Sequence, residues 1–294
     1  MADSYAHQHS ARNALVIAEY SPRDINSFIW GTNGPDPLFF YQMYNPFRRY
    51  NLSELGHIMH NEKTGLFLKN MFRFAQTDSQ KDYCLGFLCH YSLDSIIHPY
   101  VNYITQAYGS LFNTPSGHSF FESALDSHIS VLETGQPAAH VNRYCPDMDK
   151  MYVDQLVTLF KKSVDATYEK FDVPREEYAK AFHDIKFIKN FFYSPSRGKY
   201  LPSLIIEKIL GFEEGFVTSR IQPCVMDLPD FPFWKNLGTG LYSTESLNNI
   251  LLRADYLSAE CIKLGLDYFN GIITLNELME DIGNKSYESG LVVD

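Results

Sequence analysis

His90, Asp94 and His98 stand four residues apart in the segment CHYSLDSIIHPYV, Cys89 to Val101. On a helix, steps of four drift only ~40° around the axis, so the three side chains form one stripe. Imidazole nitrogens and carboxylate oxygens are donors that suit zinc. Leu85, Phe87, Leu88, Leu93, Ile96 and Ile97 mark the same helix as largely buried, where a polar stripe is costly unless it binds something. His118 and Glu122 in GHSFFESALD repeat the spacing at the start of the next expected helix. Either pair alone is commonly a surface contact or a hydrogen-bonded core histidine. Two pairs plus His98 within 33 residues favour one shared metal site.

Two further candidates lie upstream. Asp36 sits between two prolines in GPDPLFF, where turn chemistry alone explains it. His60 follows His57 by three residues, and the two compete for one role. Nine of the ten histidines precede residue 141 and only His183 follows it. Such crowding points to a common metal or proton-transfer site.

Helices must position these groups. Apolar residues recur at three and four spacing over Leu52–Ala75, Tyr83–Ala107, Met151–Phe171 and Leu247–Phe269, while alternating strand patterns are scarce. Ser116 reads as a helix start, and Thr274-Leu-Asn-Glu277 reads as a capping box. The pattern predicts an all-α fold. Turn-rich breaks at 31–37, 112–117, 135–146, 194–200 and 223–232 are all too short to be linkers. We therefore expect one multi-helical domain over residues 1–285, with 286–294 as a flexible, frayed tail.

Composition narrows the function. With 25 Lys and Arg against 35 Asp and Glu, the formal charge of −10 excludes a broad basic surface, and long nucleic acids are not expected partners. The five cysteines are odd in number and lack any CxxC spacing, which predicts reduced, buried thiols. The first residues carry no basic region, and their only apolar run is Ala14 to Ala18. With no stretch near the ~20 apolar residues of a spanning helix, the expected location is cytoplasmic. The 22 Phe and 20 Tyr are expected mainly in the core. Phe39, Phe40, Tyr41, Tyr91 and Tyr100 could instead wall a headgroup pocket, although packing is the favoured reading.

In chain order, YAH, GPDPLFF, MHNEKTGLFL, LGFLCHYSLDSIIHPYV and GHSFFES resemble the zinc-dependent phospholipase C family, particularly its short bacterial members without an export signal. The resemblance is strongest from Tyr5 to Glu122, and ESLNNILLRADYLSAECIKLGLDYF is similar without any ligand signature. It implies an all-helical fold with up to three zinc ions in a cleft. It assigns Asp36, His60, His90 and Asp94 to one site, with Asp94 bridging to a second zinc held also by His7. His98, His118 and Glu122 would hold the third. His60 is preferred to His57 because it matches HxxxTxxFL, and His7 to His9 through YAH.

The implied activity is a phospholipase C-like phosphodiesterase acting on a phospholipid-like or other small phosphodiester. Asp36 would be its general base or water-orienting group. The chain departs from the secreted toxins of the family. Their mature N-terminal residue coordinates zinc whereas this chain begins MADSYAH, the interval from Asp94 to His98 is shorter here, and residues 151–294 read as helices rather than a β-rich membrane-binding domain. These departures keep two alternatives open: a zinc nuclease-like phosphodiesterase, and a non-catalytic helical protein stabilised by metal.

Overall fold

The computed structural model describes residues 4–107, 116–213, 215–224, 228 and 231–293. Ser4–Ala18 (α1), Ile25–Gly31 (α2), Pro37–Phe40 (α3), Leu52–Asn61 (α4), Thr64–Phe74 (α5) and Asp78–Ala107 (α6) form the first half. Gly117–Thr134 (α7), Lys150–Thr167 (α8), Arg175–Phe192 (α9), Tyr200–Leu210 (α10), Leu247–Phe269 (α11) and Leu275–Ile282 (α12) form the second. Among the described residues the only sheet is a hairpin pairing Trp234 with Ser243 and Lys235 with Tyr242. The fold is all-α, as expected.

α6 is the axis of the molecule, and nearly every residue from Ser79 to Val101 is buried. α2 and α11 pack along it, α1 lies against α11, and α8 covers α5. The α2–α6 crossing is tight because it is built from glycines. A Cβ at Gly86 would lie 2.0 Å from the Phe28 carbonyl oxygen, and one at Gly31 would lie 2.2 Å from that of Tyr83. Phe67, Phe72, Phe87 and Phe160 fill the core beside the axis with almost no exposure. Truncating one such ring to alanine typically costs about 3–5 kcal/mol.

Several expected elements are recovered. α11 coincides with the periodic stretch, Ser116 is the N-cap residue of α7, and both hydrogen bonds of the Thr274–Glu277 capping box form at α12. The single expected element Leu52–Ala75 is two helices, α4 and α5, because Lys63 adopts φ 53° and turns the chain between them. Periodicity persists across such a break, since both helices face the same core. The expected break at 112–117 lies mostly outside the described residues. All five cysteines are free thiols, and only Cys224 is not fully buried.

The described part of the expected tail, residues 286–293, makes specific contacts. Ser286 and Tyr287 are buried, and Lys285 bridges Val292. The Tyr287 amide donates to the His60 carbonyl at 2.8 Å, and Asn102 Nδ2 donates to the Glu288 carbonyl at 3.1 Å. The Tyr287 ring packs edge-on against His60 and Tyr91, 5.2 and 5.3 Å away. One aromatic anchor among polar residues gives no periodic signal, so the sequence pattern missed it. Among the described residues no helix is long and apolar enough to cross a membrane.

Candidate metal centre

Five segments supply the predicted residues. His7 comes from α1, His60 from the last turn of α4, His90, Asp94 and His98 from α6, and His118 and Glu122 from α7. Asp36 occupies the N-cap position of α3 but makes no capping hydrogen bond, which leaves its carboxylate aimed elsewhere. The turn before it depends on Gly34, at φ +52°. A Cβ there would lie 2.2 Å from His90 Cδ2, so only glycine lets the chain pass this imidazole.

Asp94 is the hub. Its Oδ1 lies 3.2 Å from His7 Nε2 and 3.5 Å from His98 Nε2, while its Oδ2 lies 3.0 Å from His90 Nε2 and 3.7 Å from His60 Nε2. Asp36 Oδ1 is 3.5 Å from His60 Nε2 and 3.9 Å from His90 Nε2. Glu122 Oε1 is 3.5 Å from His98 Nε2 and 2.8 Å from His118 Nε2. α6 and α7 therefore face each other with their polar stripes, the side-by-side packing that convergence of His98, His118 and Glu122 demands. Three groups each bring donor atoms within 4.8 Å of one another: His7–Asp36–His90, His60–His90–Asp94 and His98–His118–Glu122.

The chemistry of these donors fits zinc. His7, Asp36, His60, His90, Asp94, His98 and Glu122 are buried, and His118 is partly so. Yet His7 Nε2, Asp36 Oδ1, His60 Nε2, His90 Nε2, both Asp94 oxygens and His98 Nε2 have no hydrogen-bond partner. Leaving one such atom buried and unsatisfied costs about 1–3 kcal/mol, and more when charged. A metal accepts all these lone pairs at once. The far side of three rings is already tied down. His60 Nδ1 meets the Gly56 carbonyl at 2.7 Å, His90 Nδ1 that of Thr32 at 3.1 Å, and His98 Nδ1 that of Tyr287 at 2.9 Å. A carbonyl only accepts, so each Nδ1 carries a proton and Nε2 is the nitrogen turned inward. This outer support is typical of metal-ligating histidines. His7 is oriented differently, stacked on the His90 ring at 4.1 Å.

Charge follows from the same crowding. Burial alone would raise the Asp94 carboxyl, but His98, His90 and His7 override it and hold it well below the usual carboxylate range. Burial would lower His98, and Asp94 reverses that and raises it. Burial pulls His118 down, whereas Glu122, itself opposed by burial, is held low by His118 and His98.

Sequence reasoning missed three residues. Asp126 continues the α7 stripe after His118 and Glu122, and its oxygens accept the Tyr5 and Ala6 amides at 3.1 and 2.8 Å. It thereby fixes the first turn of α1 and the placement of His7. Burial pushes its carboxyl up to about 8 against the pull of those two donors. Lys189 and Arg220 line the same cleft as Asp36 and Glu122, together with Phe39, Phe40, Met43 and Phe192. Lys189 had a legible signal, since it interrupts the apolar stripe of Ile185, Ile188 and Phe192 on α9. Among the aromatics singled out earlier, Phe39 and Phe40 wall the cleft, whereas Tyr41, Tyr91 and Tyr100 belong to the core.

The remaining histidines do not join the site. His57 is exposed against Phe39, and His9 pairs with Glu133 at 2.5 Å. His128, His140 and His183 are also exposed. Five of the nine crowded histidines thus share one place.

A sequence model of the family described as zinc dependent phospholipase C matches residues 6–171, more than half of the chain. The chain belongs to that family. No curated protein and no solved structure matches it.

Proposed function

We propose that the chain is a zinc-dependent phosphoric diester hydrolase of the phospholipase C type, with His7, Asp36, His60, His90, Asp94, His98, His118 and Glu122 as ligands for up to three zinc ions. The observation that carries this reading is the set of buried, unpartnered nitrogen and oxygen atoms converging around Asp94. Zinc held there would supply Lewis acidity toward phosphoryl oxygens and would make water a better nucleophile at neutral pH.

The chain's own residues account for the rest. Asp36 borders the cleft, and its Oδ1 is free of hydrogen bonds; it orients the attacking water and accepts its proton. Arg220 brings positive charge to the cleft, where a phosphodiester's anionic oxygens need it, and Lys189, which burial pulls down to about 7, adds an amine that a bound anion would hold protonated. Phe39, Phe40, Met43 and Phe192 provide an apolar wall suited to the lipid side of a phospholipid.

The test is release of phosphorylated headgroup from phospholipid, abolished by a chelator and restored by zinc. Nucleotide release from single-stranded DNA without headgroup release would replace this reading with the nuclease-like one. Bound zinc with no turnover on either substrate, together with a large fall in melting temperature on metal removal, would assign the metal a structural role.

A further inference from the structure

Helix α10 is built inside out. Its buried residues are Ser203 and Glu207, while Leu201, Ile205, Ile206, Ile209 and Leu210 face outward with 49–77% of their surface exposed. A surface helix normally shows the reverse. The orientation is fixed by chemistry, because Glu207 accepts the amides of Val217 and Thr218 and the Thr218 hydroxyl. Rotating the helix to bury its aliphatic face would break all three bonds and strand a carboxylate. Phe212 and Phe216 extend the apolar surface, with rings 5.0 Å apart, and Phe191 adds a further exposed ring.

The edge of this surface carries three cations against the exposed Glu213, although the chain as a whole has a formal charge of −10. Lys199 Nζ lies 5.5 Å over the Phe191 ring, the Arg197 guanidinium 4.8 Å over Tyr200, and that of Arg220 5.5 Å over Phe216. Aliphatics flanked by aromatics and then by cations match the layers of an anionic bilayer surface: acyl boundary, headgroup level and phosphate. In a two-fold dimer this face would meet its own copy and set the same cations against each other, so a second copy offers no charge match. The surface also adjoins the cleft. Tyr200, the first residue of α10, packs on the cluster of Ile188, Phe192 and Ile221, and both Phe192 and Arg220 line the cleft.

We propose that α10, with Phe212 and Phe216, is a docking face for an anionic lipid surface that seats the chain with its cleft beside the membrane. The proposal goes beyond the hydrolase reading and does not depend on it, because its readout is binding.

The test is co-sedimentation of the full chain with vesicles of phosphatidylcholine containing phosphatidylglycerol. The expected result is binding that weakens as salt rises, falls on pure phosphatidylcholine, and drops at least about tenfold in partition for I206E/I209E. Both positions are exposed, and a circular dichroism spectrum matching wild type checks that the variant is folded. If that variant fails to fold, I209S is read instead, with a smaller loss expected. Wild-type chain that stays in the supernatant at low salt, or variants that bind as well as wild type, would overturn the proposal. So would a dimer in vesicle-free solution that the substitutions dissociate, which would assign the face to a second copy.

Discussion

The main-chain carbonyl of Tyr287 accepts a hydrogen bond from His98 Nδ1 at 2.9 Å, joining residues 189 positions apart. The last described segment of the chain thereby orients a histidine on the central helix. Outer partners of this kind typically contribute 10–100-fold to metal affinity. A chain ending at Asn284 is therefore expected to bind zinc at least about tenfold more weakly in a competition titration, with His98 unsupported. Unchanged affinity would make the segment a cover and nothing more.

Asp36→Asn is expected to lower turnover more than zinc content. The amide retains an oxygen donor of similar shape but cannot take a proton at neutral pH. Parallel kinetic and metal measurements on one preparation distinguish this from a purely ligating role, which predicts equal losses.

Gly34→Ala probes the backbone that passes His90. A left-handed conformation costs an alanine about 1–2 kcal/mol, and the new methyl would press on the imidazole. The expected result is a lower denaturant midpoint together with weaker zinc binding. A stability loss with normal zinc affinity would mean that His90 can shift without losing its role.

Asp126 holds the two amides that start α1. Its carboxyl is raised in the fold to about 8 from an ordinary 3.8. Between those values the folded state carries a proton that the unfolded state has lost, so this group's contribution falls as pH rises from about 4 to about 8. Asp126→Asn removes that titration and sets an NH₂ group against one amide donor. The variant is expected to be less stable than wild type at pH 5, with the gap narrowing toward pH 8 in denaturant titrations. A gap independent of pH would show that the group does not titrate in this window.

The central helix and its ligands were legible because burial and chemistry share one period. His90, Asp94 and His98 at four-residue steps cannot all face an apolar core without purpose, and α7 carries a second stripe of the same kind. That stripe runs on to Asp126, and the same reading extended by four residues would have found it. The α4–α5 break at Lys63 was not legible, because one residue at φ 53° leaves the apolar period intact on both sides. Tyr287 was hidden for a different reason. Its value lies in a main-chain carbonyl and a single ring, and neither has a sequence pattern. Arg220 sits in a 3-10 turn, Thr218–Arg220, where no periodicity exists to break.

The most direct measurement of the central claim is the zinc count per chain, by elemental analysis on protein purified without chelators. More than one and up to three zinc ions are expected in the wild type, with at least one lost in each of His90→Ala and Asp94→Ala. Wild-type protein that holds no zinc and takes up none when it is added, or variants with undiminished zinc content, would contradict it.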